Sequence, residues 1–165
     1  MIVRYVRFTV TKIRGAENVM QYSKLHLYLN NSRVLWDASA TTFSSFDSFA
    51  FAGEKSLNIV KNTGVEKWCV TATTTPPPPI EVVIDNLSAI NIDSYAYITA
   101  NDNNNRDPVS WTFEASTNNL NWELVGSGLN ETITTLRDTS TQLFPLLSSS
   151  NPSIYYASPL LLIAC

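Results

Sequence analysis

Alternation of apolar and polar residues over 93–125 restricts the fold of this chain more than any other feature. Trp111 and Phe113 alternate with polar neighbours, and residues 94–99 show the same two-residue period. This period is typical of β-strands that bury one face in a core and expose the other. Between the two strands, residues 101–107 are polar and lead into Pro108, which predicts a long loop.

Strand patterns continue along the rest of the chain. Residues 2–13 place Val6 and Phe8 on one face with Val10, which predicts a half-buried strand. A turn of the chain is expected at 85–88. The side chain of Trp122 is assigned to the core. Further strands are expected at 20–30, 34–36, 80–84, 121–125, 133–136, 141–147, 154–156 and 160–163.

The composition bounds the class of protein. The 165 residues suffice for one domain with a proper core, so 1–165 is assigned to a single domain. A net charge of -3 without a cluster of Lys and Arg argues against nucleic acid as a partner. His26 is the single histidine, and we expect Cys69 and Cys165 to be free thiols. The terminal segments predict neither a signal peptide nor a membrane span.

The segment TANDNNNRDPVSWTFEASTNNLNWELV resembles the core of galactose-binding-like domains, the discoidin or coagulation factor 5/8 type C family, which is similar to carbohydrate-binding modules of that fold. YVRFTVTKIRG, MQYSKLHLY and the Trp68 region are similar to other parts of that family. With the alternation above, the resemblance implies an all-β jelly-roll β-sandwich of about eight mainly antiparallel strands. It also implies a loop that leads into a Trp-containing strand at 68–70.

The resemblance bears on metal binding. Many members of this family hold a structural calcium with an Asp-Gly pair, which corresponds to Lys61 and Asn62 here. A lysine removes one ligand and adds positive charge, so we expect no calcium and no other cofactor. Carboxylates at Asp47, Glu54 and Glu66 remain an alternative source of ligands.

Four phenylalanines between residues 43 and 51 have two interpretations. The first is a loop that folds the rings onto the core, and the second is a set of exposed rings that contact a partner. Phe43, Phe46 and Phe49 recur every third residue, a spacing that fits neither a strand nor a regular helix. The proline-rich stretch 75–79 is interpreted as a stiff connector within the domain.

The polar loop is the best candidate ligand site. Planar amides and a guanidinium can bind sugar hydroxyls, while an aromatic ring covers the apolar sugar face. An alternative is that Arg106 and Asp107 only brace the loop, as the resemblance implies. The candidate ligand-binding residues are Asn101, Asp102, Asn103, Asn104, Asn105, Arg106, Trp36, Phe46 and Phe49.

No catalytic pattern is apparent in the sequence, so we expect a protein that is not an enzyme. The expected function is non-catalytic recognition or adhesion, in which loops at one end of the sandwich bind a glycan or a protein surface. The alternative is a structural subunit of a larger particle, such as a minor capsid, decoration or surface-layer protein, assembled through sheet edges and chain ends. Either function suggests an extracellular or particle-surface location.

Overall fold

The computed structural model describes residues 1–74 and 79–147, and this part of the chain is all-β. Three short 3-10 helices lie at Ser45–Phe49, Ser56–Val60 and Asn104–Arg106. The strands in the described part are β1 (Ile2–Ile13), β2 (Val19–Tyr22), β3 (Lys24–Leu29), β4 (Ser32–Val34), β5 (Thr41–Phe43), β6 (Trp68–Thr71), β7 (Ile80–Asn91), β8 (Ser94–Ile98), β9 (Pro108–Ser116), β10 (Glu123–Gly128) and β11 (Phe144–Pro145).

The strands form three antiparallel sheets. A five-stranded sheet has the order β10-β9-β1-β7-β5, a four-stranded sheet has the order β11-β8-β3-β4, and β2 pairs with β6. The N-terminal strand β1 therefore lies at the centre of the largest sheet, between β9 and β7. Several strands are only two to four residues long, which is too short for alternation to reveal, so the described strands exceed the expected eight.

Aromatic side chains join the sheets into a sandwich. From the five-stranded sheet, Phe8 meets Tyr22 of β2 with ring centroids 5.7 Å apart, and Phe113 stacks on Tyr95 of β8 at 4.1 Å. Trp111 packs edge-on against Tyr97 at 5.8 Å. Because these rings come from facing layers, they bury the largest apolar areas between the sheets. The all-β sandwich expected from the sequence is confirmed at this level.

The alternation identified the long strands correctly. In β1, Val6, Phe8 and Val10 are buried, as predicted, and in β9 Trp111 and Phe113 are buried. The expected segment 20–30 divides into β2 and β3, and Trp68 begins a strand.

Two local predictions are wrong. The turn signals at 85–88 do not end β7, which continues to Asn91 with an irregular register opposite β1. Leu87 adopts a positive φ of 65°, and its N–H donates to Asp85 Oδ1 at 2.7 Å. The second error is at 133–136, where no strand forms although Ile133 is buried. In both cases a local turn motif coexists with tertiary packing that the pattern does not encode.

Some predictions fall outside the described residues. These are the connector at 75–78, the strands at 154–156 and 160–163, and the thiol of Cys165.

Candidate functional site

The polar loop 101–107 is held in a fixed shape beside the end of β1. Asn103 accepts a hydrogen bond from the Asn105 N–H at its side-chain oxygen, which caps the 3-10 helix Asn104–Arg106. The backbone N–H of Gly15 donates to Asn105 O at 2.6 Å. A Cβ at Gly15 would lie 2.7 Å from the Asn105 Cβ, so this close approach requires glycine.

Glu17 binds two of the predicted ligand residues. Its carboxylate accepts from Arg106 Nε at 2.8 Å and from Asn103 Nδ2 at 2.8 Å. These hydrogen bonds, first from Arg106 and then from Asn103, lower the pKa of Glu17 below its usual value. Arg106 and Asn103 are therefore engaged inside the protein.

Lys67 connects the loop to a second segment of the chain. Its side chain is 9% exposed, and its ammonium donates to Asp102 Oδ2 at 2.8 Å and to Gln21 Oε1 at 3.2 Å. Glu54 Oε1 lies 3.8 Å from the same ammonium. Burial acts to raise the pKa of Asp102, but hydrogen bonds from Lys67 and Gln21 hold it below the usual value.

Asp107 fixes the C-terminal end of the loop. Its carboxylate is fully buried and accepts from Arg137 Nη1 at 2.9 Å, while Arg14 Nη2 lies 3.6 Å away. A buried carboxylate is stable only with such partners. The brace implied by the resemblance is therefore present, but Arg106 and Asp107 each pair with residues from other segments.

The exposed turn 51–54 lies next to this loop. The N–H of Phe51 donates to Cys69 O at 3.1 Å, and Glu54 at the other end of the turn reaches Lys67. We call the part of the sandwich formed by residues 14–17, 51–54 and 101–107 the loop end. Phe51 is 48% exposed there, and the exposed Asn101 side chain makes no hydrogen bond within the described residues.

The three aromatic rings proposed for ligand contact have different environments. Trp36 is buried and its Nε1 donates to Leu25 O at 2.7 Å, so its ring is part of the core and not a ligand platform. Phe46 is half-buried against the core. Phe49 is 50% exposed on the 3-10 helix Ser45–Phe49. One ring of the phenylalanine cluster therefore folds inward, and the others remain exposed.

Trp122 corrects another assignment. It is half-buried and outside the core cluster, with the guanidinium Cζ of Arg7 4.5 Å from its ring centroid. Val125 is fully buried, and a residue three positions away on a strand faces the opposite side. The two-residue period could therefore have placed Trp122 on the outer surface.

Sequence reasoning also missed Lys67, Gln21 and Glu17. Gln21 and Lys67 are both nearly inaccessible, which is unusual for such polar residues and indicates specific partners. One signal was available, because Gln21 interrupts an otherwise apolar run from Val19 to Tyr22.

The segment aligned with a calcium loop does not fit a divalent cation. The ammonium of Lys24 donates to Asn58 O and Glu66 O, both at 2.9 Å, and so uses the carbonyl oxygens of this loop. Lys61 adds a second positive charge, 3.6 Å from Glu66 Oε1. In the described residues, no group of three or more His, Cys, Asp or Glu side chains is placed to hold a metal ion.

Two groups with nucleophile or base chemistry are perturbed by burial. Burial raises the pKa of the Cys69 thiol to about 12, and the Sγ lies 3.7 Å from Gln21 Oε1. His26 lies in β3, where burial, followed by Arg33 and Lys24, lowers its pKa to about 4. At neutral pH both side chains are therefore uncharged.

Comparison of the chain with protein-family models, with curated proteins and with solved structures finds no match. Among the residues that the structure describes, no helix has the length and apolar character needed to cross a membrane.

Proposed function

We propose that the protein is a non-catalytic recognition module that binds carbohydrate through the loop end, and that its sandwich is a jelly roll of the galactose-binding-like type. The observation that carries this proposal is the Lys67 connection, which ties Asp102 of the amide-rich loop to Glu54 of the turn that exposes Phe51. An amide donor and an aromatic ring thereby share one end of the molecule. Such a module acts outside the cell or on a particle surface.

Rigidity supports this function. A binding loop that is already fixed loses little conformational entropy when the ligand arrives, so more of the interaction energy appears as affinity. Glu17, Lys67 and Arg137 hold the loop through ion pairs with its residues Arg106, Asp102 and Asp107. The ligand contacts are then assigned to the groups that remain exposed, Asn101 and the ring of Phe51.

The non-catalytic part of the proposal rests on the state of the reactive groups. A thiol with a pKa of about 12 supplies almost no thiolate at neutral pH, which disfavours Cys69 as a nucleophile. The carboxylates of the loop end are paired with Lys67, Arg106 and Arg137, which suits a structural brace better than proton transfer.

Affinity electrophoresis and a glycan array test the proposal with the full chain. We expect retention on at least one polysaccharide and a loss of about fivefold or more in affinity for Phe51→Ala and for Asn101→Ala, the scale of one or two lost contacts. Phe43→Ala is the matched control, because Phe43 is 73% exposed on β5 and makes no part of the loop end. Normal binding by both loop-end variants, or no glycan bound at all, would contradict the proposal.

A second candidate function is favoured by the outer face of the five-stranded sheet. The strand register aligns Phe43, Val83, Arg7, Glu114 and Leu124 in one row across all five strands. The two ends of this row are apolar and exposed, Phe43 at 73% and Leu124 at 51%. We infer that these two side chains are contact points for a neighbouring subunit.

This second candidate is a structural subunit that assembles through that row. Sedimentation analysis tests it. We expect the assembled species to dissociate when Phe43→Asp and Leu124→Asp introduce charge at both ends of the row. A monomer at all concentrations in the unmodified protein would exclude this candidate and leave glycan recognition as the proposed function.

A further inference from the structure

A small cavity lies at the opposite end of the five-stranded sheet from the loop end. It has a volume of about 210 Å³ and is lined by residues that include Ser116, Thr117, Asn121, Trp122 and Glu123. β9 leaves the polar loop at Pro108 and ends at Ser116. At a rise of about 3.4 Å per residue, the cavity lies about 27 Å from the loop end along this strand.

The indole of Trp122 is held in place at this cavity. The Arg7 guanidinium lies over its ring with Cζ 4.5 Å from the centroid. Arg7 is itself fixed by Glu114, whose Oε2 accepts from Arg7 Nε at 2.8 Å. A cation over an aromatic face stabilises this arrangement, so the ring has a defined orientation before any ligand binds.

The turn that carries the polar lining is also fixed. Ser116 Oγ accepts from the N–H groups of Asn118 and Asn119, at 3.2 and 3.0 Å. Asn118 Oδ1 accepts from the N–H groups of Leu120 and Asn121, both at 2.9 Å. Asn119 takes a positive φ of 61°, a conformation that asparagine tolerates well. The position of Asn121 is therefore set by the backbone and not by a ligand.

The polar side chains at this cavity remain available for a ligand. Within residues 1–74 and 79–147, the side chains of Thr117, Asn121 and Glu123 make no hydrogen bond or ion pair. Trp122 Nε1 is likewise without a hydrogen-bond partner there. In the loop 101–107, by contrast, Asp102, Asn103 and Arg106 are all engaged by other side chains or by the backbone. The cavity thus offers an amide, a carboxylate, a hydroxyl and an indole that are not used internally.

We propose that this cavity is a second carbohydrate site, which binds a single pyranose residue independently of the loop end. The C–H face of a sugar ring packs on an aromatic ring, and neighbouring hydroxyls pair with an amide and a carboxylate. The volume is below the roughly 300–1,000 Å³ of pockets for larger ligands, so one sugar ring fits and a chain extends outside.

NMR titration of the full chain tests this site directly. The chain has four tryptophans, and Trp36, Trp68 and Trp111 are buried, so the indole N–H of Trp122 is the accessible one. We expect a saturable shift of that resonance with a methyl pyranoside of galactose, glucose or N-acetylglucosamine. The resonance is assigned by its absence in Trp122→Phe.

Substitutions at two exposed residues test the site without disturbing the fold. Asn121→Ala and Glu123→Gln are each expected to weaken the titration about fivefold, the effect of one hydrogen bond. Phe51→Ala should leave it unchanged. Failure of every pyranoside to move the Trp122 resonance, or wild-type affinity in both variants, would overturn the second site. If glycans bind the loop end and the Trp122 resonance does not shift, this inference alone fails. If the Trp122 resonance shifts and the loop-end variants bind glycan normally, the proposed loop-end function fails.

Discussion

At the residue scale, the most unusual feature of this protein is a pair of buried lysine side chains. Lys24 and Lys67 are nearly inaccessible, and each ammonium joins segments that are distant in sequence. Burying an ammonium is costly unless oxygen atoms replace its water. Lys24 meets this condition with two backbone carbonyls, and so performs the bridging that a metal ion could perform in such a loop.

Replacement of Lys24 by methionine should destabilise the protein. The change leaves the carbonyls of Asn58 and Glu66 without their donor, and we expect a loss of about 2 kcal/mol or more in the free energy of unfolding. Urea denaturation measures the effect. Lys55→Met is the control, because Lys55 is exposed and its side chain makes no cap hydrogen bond. Equal stability of the two variants would show that the Lys24 contacts contribute nothing.

The titration of His26 should make stability depend on pH. Its pKa is about 4 in the folded protein, because burial and then Arg33 and Lys24 disfavour the imidazolium, and about 6.5 in the unfolded chain. Between these values the unfolded chain binds the proton and the folded protein does not. Stability should therefore fall as the pH decreases from about 6.5 towards 4. His26→Gln should flatten this part of the curve, and an unchanged slope in the variant would assign it to other groups.

At the element scale, close packing of β10 explains its two glycines. A Cβ at Gly128 would lie 2.6 Å from Trp111 Cζ2, and one at Gly126 would lie 2.7 Å from Tyr95 Cε1. The rings of Trp111 and Tyr95 are joined by a hydrogen bond from Nε1 to the hydroxyl at 2.9 Å, so they cannot move apart easily. The strand lies flat on these rings because it lacks side chains there.

Substitution of Gly128 by alanine should therefore overpack the core. We expect a loss of about 1–3 kcal/mol in the free energy of unfolding, the usual cost of one extra methyl group in a rigid site. The neighbouring Ser127→Ala is the control, since Ser127 is exposed on the same strand. Chemical denaturation of both proteins compares them, and a stable Gly128→Ala variant would mean that the rings adjust.

At the scale of the whole molecule, one apolar core connects all three sheets. The core cluster contains residues of the five-stranded sheet, the four-stranded sheet and the β2–β6 pair, including Phe8, Tyr95 and Trp68. Edge-to-face contacts of Tyr22 with Phe8 and Trp68, and the stacking of Tyr95 on Phe113, run through it. We therefore keep the prediction that the chain is a single domain.

A single domain should unfold in one cooperative transition. Calorimetry should give a single peak, and near-ultraviolet and far-ultraviolet circular dichroism should have coincident midpoints. Two separate transitions would indicate that the β2–β6 pair or the loop end unfolds as an independent unit.

The sequence alone determined the long strands and their buried faces. Val6, Phe8, Trp111 and Phe113 were assigned correctly because strand alternation is a local property with a fixed period. The three-residue spacing of Phe46 and Phe49 was also visible in the sequence. It matches the three residues per turn of the 3-10 helix in which both residues lie, and for this reason it fitted neither a strand nor a regular α-helix.

Only the tertiary structure decided which polar residues are free. Asn101 and Asn103 look equivalent in the sequence, yet Glu17, 86 positions from Asn103, binds only the latter. The position of the Arg7 guanidinium over the Trp122 ring likewise joins two residues that are distant in the sequence. Side-chain pairing over such separations depends on how the sheets stack, and no local period encodes that arrangement.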